Sequence, residues 1–211
     1  MSARERILER VGSARKGGVE PTPVEDYMRR HPRGPVPSVA PDRAARLSER
    51  AARLGSEVAA VEALSGVPAA VARYLDSHGL PRRAVCWPQV AALPWREHGL
   101  EIEARPARGD DIVGVTGVFA VIAETGTLML LSGPQTPATV SLLPEVHVAV
   151  VRTEQIVPTM EDAWERLRAQ AGAMPRAVNF VSGPSRTADV EQTVTLGAHG
   201  PRRVLIVLVA G

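Results

Sequence analysis

Residues 112–132 read IVGVTGVFAVIAETGTLMLLS, and this stretch decides the fold class. It contains three apolar runs with the length of buried strands. Ile112–Val115 and Val118–Ala123 are apolar and β-branched, and Leu128–Ser132 is the third run. No helix-length segment separates the runs, so they predict an antiparallel or mixed β portion. The polar turn between the last two runs, Ala123–Thr127, is the first candidate functional loop.

Strand and helix signals alternate on both sides of this stretch. Helices are predicted from Asp42, as N-cap, through Leu54, over Leu64–His78 and over Pro158–Ala171. Further strands are predicted over Glu57–Val61, Ala84–Trp87, Leu100–Ala104, Val146–Val151, Ala177–Val181 and Val204–Val209. Continuous apolar strands between helices imply a sheet covered on both faces. The predicted fold is α/β, mostly parallel, with an added antiparallel β portion and helices on both faces.

The beginning of the chain has a different composition. Apolar residues at helical spacing predict a helix over residues 3–15. Residues 17–41 contain two adjacent glycines and six prolines, which predict an extended linker because proline fixes φ and lacks a backbone donor. We therefore expect an N-terminal helix and Pro-rich linker over 1–41, followed by a compact α/β domain over 42–211.

Composition argues against several classes of function. The formal net charge is +2 and arginines alternate with acidic residues, so no basic stripe for nucleic acid is expected. One cysteine, Cys86, allows no disulfide within the chain and no zinc or iron–sulfur centre built from its own thiols; its apolar neighbours predict a core position. Without a signal peptide or a long apolar run, we expect a cytoplasmic protein with no integral membrane segment.

The turn Ala123–Thr127 combines a carboxylate, hydroxyls and a glycine. Glu124 is a candidate catalytic nucleophile or general base if it is buried. Glycine permits close backbone approach, and hydroxyls with free N–H groups can hold an anion. The candidate ligand-binding residues here are Thr116, Thr125, Gly126 and Thr127. A hairpin turn with solvated polar side chains is an equally good explanation of the pattern.

The second candidate loop, Gly183–Asp189, follows a predicted strand and is expected to open a helix, where ligands and anions bind. Its candidate ligand contacts are Gly183, Ser185, Arg186, Thr187 and Asp189. Helix capping alone explains the same residues, and the two roles are compatible. His199, between two glycines, is a further candidate, although a lone histidine, like His147 at a strand end, is more often structural.

Four segments together resemble the LUD-domain family in its LutC-type branch. They are GVTGVFAVIAETGTL (114–128), LLPEVHVAVV (142–151), SGPSRTADVE (182–191) and LGAHGP (196–201). The segments occur in family order and the resemblance covers roughly residues 40–211. It implies a Rossmann-like sheet of the NagB/RpiA/CoA-transferase-like type, with an extra β portion.

The resemblance also implies a function, as an accessory, cluster-free subunit in the oxidation of L-lactate to pyruvate. Iron–sulfur clusters are expected in cysteine-rich partner subunits, and no cofactor or metal is expected in this chain. No GxGxxG nucleotide fingerprint is present, and lactate oxidation needs an electron acceptor, so the chain alone is not expected to perform it. The two loops are expected to form a shared pocket for a small anionic ligand.

An alternative function follows from the fold type alone. The chain would then be a stand-alone enzyme or binding module for an acyl-CoA, a sugar phosphate or another small anion. In CoA transferases of the wider fold a glutamate forms a thioester with CoA. Glu124 beside a glycine turn does not suffice to assign it that role.

Overall fold

A computed structural model gives the fold and describes residues 2–14, 21–30, 33–35, 38, 41–170, 172–187 and 195–210. The chain divides into two compact units, Met1–Pro37 and Ser38–Gly211. The helices of the described residues are α1 (Ala3–Ala14), α2 (Pro21–Arg30), α3 (Arg43–Arg53), α4 (Val67–Ser77), α5 (Pro88–Ala91), α6 (Thr139–Leu142) and α7 (Met160–Gln170). Short 3-10 turns span Leu64–Gly66, Trp95–His98 and Thr153–Gln155.

The strands of the described residues are β1 (Glu57–Val61), β2 (Arg83–Cys86), β3 (Glu101–Ala104), β4 (Val113–Thr116), β5 (Ala120–Ile122), β6 (Thr127–Leu131), β7 (Val146–Arg152), β8 (Ile156–Val157), β9 (Val178–Val181), β10 (Arg186–Thr187), β11 (Thr195–Leu196) and β12 (Arg203–Val209). Every strand predicted from the sequence is present, and its ends lie within two residues of the predicted ones. The apolar, β-branched runs therefore located the strands correctly.

The first unit corrects the predicted linker. We expected residues 17–41 to be extended, but Pro21–Arg30 form helix α2. Both prolines of this helix stand in its first turn, where a missing N–H costs no intrahelical hydrogen bond. Arg29 in the last turn complements the helix dipole and pairs with Asp26 at 3.3 Å. Residues 17–20, 31, 32, 36, 37, 39 and 40 of the predicted linker lie outside the described residues.

Six strands of the second unit form one wholly parallel sheet, called sheet A. Its strand order is β1-β12-β7-β4-β2-β3. The long central strands β7 and β12 are buried over nearly their whole length and are rich in valine, as is typical of strands covered on both faces. The parallel order places the carboxyl ends of all six strands on one edge and their amino ends on the other.

The predicted antiparallel portion exists, but it lies in a sheet of its own. Strands β8, β5, β6 and β9 form this sheet B in that order. Its β5–β6 and β6–β9 pairs are antiparallel, whereas β8 runs parallel to β5. The first run of the 112–132 stretch, β4, belongs to sheet A, and the other two runs form the β5–β6 hairpin.

Sheet A separates two apolar cores. Helix α4 packs on one face through side chains such as Leu75. On the other face α3 and α6 pack beside sheet B, through Leu47 and Val140. Helix α7 covers the outer face of sheet B with Ala163 and Leu167. Each large buried side chain contributes about 1.5–3 kcal/mol. The predicted fold class is confirmed.

The helix expected to open within Gly183–Asp189 does not begin at Ser185, because Arg186–Thr187 form β10, which pairs antiparallel with β11. A helix that begins after Thr187 would lie outside the described residues. The Ser185 N–H donates to the Pro201 carbonyl at 2.8 Å. This backbone N–H, which would be free at the start of a helix, therefore forms a hydrogen bond to another chain segment. Asp189 lies outside the described residues.

Candidate ligand-binding cleft

A cleft opens at the carboxyl end of sheet A, between β2 and β4. The chain continues from β2 to β3 in one direction and from β4 to β7 and β12 in the other, so winding reverses between β2 and β4. Ligands of open α/β sheets bind at such a switch point. Two adjoining cavities of about 240 and 400 Å³ lie there, both lined by Gln89 and Gln155. Together they form the carboxyl-end cleft, whose polar wall includes Gln89, Gly117, Arg152, Gln155 and Arg166.

Gln155 ties two strand ends of the cleft together. It closes the 3-10 turn that follows β7. Its Nε2 donates to the Val118 carbonyl at 2.5 Å, and its Oε1 accepts from the Arg152 N–H at 2.9 Å. Because both amide atoms are used within the protein, Gln155 fixes the shape of the wall and leaves ligand contacts to its neighbours.

Gln89 and Gly117 face each other across the switch point. Gln89 belongs to α5, which Pro88 begins two residues after β2. A Cβ at position 117 would lie 2.9 Å from Gln89 Oε1, so glycine lets this exposed amide lie against the end of β4. Trp87, the N-cap residue of α5, is fixed in place because its ring is buried and its Nε1 donates to the Pro137 carbonyl at 3.1 Å.

Each cavity of the cleft has one guanidinium group in its wall. In the larger cavity, Arg166 Nη1 donates to the Glu154 carbonyl at 3.0 Å, and Arg166 Cζ lies 5.7 Å from the centre of the Phe119 ring. Arg166 Nε is shielded from solvent and has no hydrogen-bond partner among the described residues. In the smaller cavity, Arg152 is half exposed and lies 3.7 Å from the Glu154 carboxylate. A donor buried in this way is stabilised when a ligand oxygen accepts from it.

The electrostatics of the cleft suit a small anion. Over the described residues, neither cavity is lined by Asp, Glu, His or Cys. Glu154 partly offsets the charge of Arg152, and Arg166 adds a second positive charge, so the cleft favours an anion. The planar guanidinium matches the geometry of a carboxylate. The arrangement can bind and orient an anion, and Thr136 supplies the one hydroxyl side chain among the described residues that line it.

A comparison with family models identifies the family of the chain. The family model described as LUD domain matches residues 95–209, which is more than half of the chain. The chain belongs to the LUD-domain family. The resemblance drawn from the four sequence segments is thereby confirmed. The matched part of the LUD domain supplies Gly117, Arg152, Gln155 and Arg166 of the cleft, whereas Gln89 precedes it.

Several curated relatives are similar to the LUD domain over part of their length. An uncharacterized protein of Neisseria meningitidis is 42% identical over 96 residues, which are 46% of this chain and 41% of the relative. Lactate utilization protein C of Halalkalibacterium halodurans is 37% identical over 46% of this chain and 44% of the relative. Lactate utilization protein C of Bacillus subtilis is 32% identical over 59% of this chain and 53% of the relative. The chain thus spans about half the length of these relatives.

A solved structure supports the fold of the LUD domain. The crystal structure of a DUF162 family protein from Deinococcus radiodurans superposes with a TM-score of 0.60 at 26% identity. The superposition covers 82% of this chain and all of the other one. It therefore extends beyond the part that the curated relatives match and includes most of the second unit.

The first predicted loop of the LUD domain, Ala123–Thr127, does not line the cleft. The β5–β6 hairpin begins beside Phe119 in the cleft wall, and the turn with Glu124 lies at the other end of the hairpin. Glu124 is half-buried, and its N–H donates to the Pro158 carbonyl at 3.0 Å. The structure gives Glu124 no place in the cleft wall, and its catalytic role stays a prediction.

The threonine hydroxyls of this first loop form hydrogen bonds within the protein. Thr125 Oγ1 donates to Thr127 Oγ1 at 2.8 Å, and Thr127 Oγ1 lies 2.8 Å from Ser182 Oγ. Gly126 has a φ of 71°, and a Cβ there would lie 2.8 Å from the backbone nitrogen of Ala51 in α3. The glycine is therefore needed where the hairpin packs on the helix.

The second predicted loop lies at the amino end of sheet A, near the end of α3. A Cβ on Gly183 would lie 2.7 Å from the Leu54 carbonyl oxygen, and Arg186 Nη2 donates to the same oxygen at 3.0 Å. Thr187 belongs to β10, and Ser185 directly precedes that strand. A cavity of about 310 Å³, called the amino-end pocket, is lined by Gly55, Glu57, Tyr74, Pro184, Arg186, Leu196, Arg202, Arg203 and Val204.

The predicted shared pocket is thus only partly assembled. The Thr127–Ser182 contact brings the two predicted loops together, but of the two only the second lines the amino-end pocket. His199 is exposed beside this pocket, since the adjacent Gly200 lies next to the Ser185 side chain. Ligand binding by the residues of both loops stays a prediction.

Thr116 and His147 form a buried pair in sheet A. Both side chains are fully buried, and Thr116 Oγ1 lies 2.8 Å from His147 Nε2. Burial lowers the pKa of His147 to about 4, so the imidazole is neutral at physiological pH. Its Nδ1 has no hydrogen-bond partner among the described residues. Neither residue lines the cleft, and His147 is a core residue in this structure.

Cys86 also lies in the core, as its apolar neighbours predict. It is fully buried beneath α4 and α5, and this burial raises the pKa of its thiol to about 11. In the part of the chain that the structure describes, no three His, Cys, Asp or Glu side chains are grouped as a metal site requires. None of the helices described above has the length and apolarity needed to span a membrane.

The sequence analysis missed the residues that line the cleft. Arg152 ends β7, and Gln89 and Gln155 each come three residues after a strand of sheet A. Their positions could have been predicted from the sequence, because side chains that directly follow parallel strands meet at one edge of the sheet. The candidate residues predicted from the sequence lie instead in the two glycine-containing loops. Arg166 carried no sequence signal, since it is one of the two arginines of α7.

Proposed function

We propose that the carboxyl-end cleft binds a small carboxylate and that this LUD-domain protein serves L-lactate utilisation as an accessory, cluster-free subunit of an L-lactate-oxidising complex. The observation that carries the proposal is the pair Arg152 and Arg166 in a cleft without an acidic lining residue. The relatives named lactate utilization protein C supply the substrate class.

The residues of the cleft have distinct tasks in this proposal. Arg166 pairs with the carboxylate of the substrate through the N–H groups of its guanidinium. The exposed amide of Gln89 contacts the hydroxyl or keto oxygen beside that carboxylate. Gln155 holds the wall in place. Iron–sulfur clusters of partner subunits supply the electron acceptor when the complex is assembled, while this chain binds and orients the acid.

Calorimetry on the isolated protein tests the cleft. L-lactate and pyruvate should each bind, and Arg166→Gln should weaken binding by about 10- to 100-fold, because a charge-assisted hydrogen bond contributes about 1.5–3 kcal/mol. Arg168→Gln is the matched control, since Arg168 is exposed on the same helix and lines neither cavity. Absence of binding to the wild type, or equal weakening in the two variants, would contradict the assignment.

Growth and co-purification test the proposed place in a complex. Deletion should abolish growth on L-lactate, and the tagged protein from lactate-grown cells should retain iron–sulfur partners. A copy with Arg168→Gln should restore growth, whereas one with Arg166→Gln should not. Normal growth of the deletion strain on L-lactate would refute the lactate role. Recovery of the protein without iron–sulfur partners would refute the subunit role and leave the cleft assignment to calorimetry.

A further inference from the structure

The amino-end pocket carries an unusual excess of positive charge. Three guanidinium groups line its cavity of about 310 Å³, from Arg186, Arg202 and Arg203. Glu57 is the one acid among its described lining residues, and its carboxylate lies 3.1 Å from His78 Nε2. The three guanidinium groups outnumber Glu57 and the Glu145 carboxylate near Arg202, so the pocket favours an anion.

The arginines of the pocket keep much of their bonding capacity. Arg186 spends one N–H on the Leu54 carbonyl, at 3.0 Å. Arg202 lies 3.5 Å from Glu145, but both side chains are more than half exposed, and such a pair contributes little. A guanidinium presents five N–H donors, so each of these side chains can bind further oxygens.

Tyr74 adds a buried donor to the same pocket. Only 6% of the residue is exposed, and its hydroxyl has no acceptor for its proton among the described residues. Burial raises the pKa of Tyr74, the Glu57 carboxylate adds to the rise, and Arg203 opposes it. The hydroxyl therefore keeps its proton at neutral pH. A buried donor without an acceptor is stabilised when a ligand oxygen accepts from it.

We infer that the amino-end pocket is a second ligand site, which binds the phosphoryl group of a small phosphorylated molecule. The guanidinium fork matches phosphate oxygens two at a time, and Tyr74 supplies a neutral donor beside them. Pro184 and Leu196 give the cavity an apolar side for a carbon skeleton. The inference goes beyond the proposed lactate role and does not depend on it.

The position of the pocket separates it from the cleft. It lies at the amino ends of β1 and β12, and the cleft lies at the carboxyl ends of sheet A. A seven-residue strand such as β12 spans roughly 23 Å, so the two sites can be filled together. Saturation with L-lactate should therefore leave phosphate bound.

Calorimetry with inorganic phosphate tests the inference, with chloride at matched ionic strength as the reference. Saturable binding of one phosphate is expected. Arg203→Gln should weaken it at least about tenfold, because a charge-assisted contact is lost. Tyr74→Phe, which keeps the ring, should weaken it about threefold. Arg168→Gln removes the same charge from an exposed position outside the pocket and should leave the affinity unchanged.

Three outcomes would overturn the inference. They are no saturable binding above the chloride reference, equal weakening in Arg203→Gln and Arg168→Gln, and displacement of phosphate by L-lactate. Circular dichroism checks the folding of each variant, and Tyr74→Phe decides the case if Arg203→Gln does not fold. Phosphate binding that depends on Tyr74 would support the inference even if L-lactate does not bind the cleft.

Discussion

The two ends of sheet A are built by different means. At the amino end, two glycines with positive φ allow close contacts between backbones. Gly126 packs against α3, and Gly183 packs against the C-cap of that helix. At the carboxyl end, side chains make the connections, through the amide of Gln155 and the indole of Trp87. Gly117 there faces only the far end of a flexible side chain. The contrast teaches that the amino end is part of the fold, whereas the cleft can change its lining without refolding the domain.

The largest expected effect tests the amino end. Gly126→Ala should lower the free energy of unfolding by roughly 3 kcal/mol, because the new Cβ strains a left-handed backbone and meets the α3 backbone at 2.8 Å. Denaturant unfolding measures the loss. Gly109→Ala is the control, since nothing lies within 4 Å of a Cβ there. Similar losses in the two variants would contradict the close packing of the hairpin on α3.

The next effect concerns the core between the two ends. Burial lowers the pKa of His147 from 6.5 to about 4, so below pH 6.5 the unfolded chain binds a proton that the folded chain does not. Stability is therefore lost as the pH falls, by about 1.4 kcal/mol per pH unit between pH 6.5 and 4, or roughly 2 kcal/mol at pH 5. Denaturant unfolding at pH 7 and pH 5 should show this loss in the wild type, and a smaller one in His147→Asn. Equal pH dependence in the two proteins would show that His147 is not the group responsible.

The sequence predicted the sheet far better than the sites, and particular residues show why. Runs such as Val204–Val209 can be predicted from their own residues, because β-branched and apolar residues favour a strand wherever it lies in the sheet. Asp42 likewise marks a helix start by its own chemistry, and its Oδ1 accepts from the Ala45 N–H at 2.9 Å. Signals of this kind need no knowledge of distant parts of the chain.

The sites depend on contacts that spacing does not encode. Gly126 and Gly183 were singled out as ligand loops, yet what they approach is α3, more than 70 residues earlier in the chain. The cleft gathers Gln89, Gln155 and Arg166 from three separate segments. Only the strand order, which separates β2 from β4 as the switch point, shows that these segments meet.

A smaller effect is expected at the start of α3, the helix that supports the amino end. Asp42→Ala should cost about 1 kcal/mol of stability, because it removes the N-cap hydrogen bond to Ala45. Asp42→Asn keeps an acceptor and should retain most of the stability. Denaturant midpoints compare the variants. An equal loss in Asp42→Asn would show that charge, rather than the capping bond, stabilises this end.

The smallest effect tests whether the carboxyl end is indeed built from side chains. Gly117→Ala places a Cβ 2.9 Å from Gln89 Oε1, and that flexible amide can rotate away. The free energy of unfolding should therefore change by less than about 0.5 kcal/mol, whereas L-lactate affinity should fall about threefold as one neutral hydrogen bond is lost. Gln89→Ala should cause the same loss of affinity.

The double variant decides how Gly117 acts. If the glycine works only by admitting Gln89, then Gly117→Ala combined with Gln89→Ala should bind L-lactate no more weakly than Gln89→Ala alone, because residues that share one contact are not additive. Calorimetry on the four proteins completes the cycle. Additive losses would instead mean that the backbone at Gly117 contacts the ligand itself. The carboxyl end would then resemble the amino end, where glycine backbones make close contacts that a larger residue would prevent.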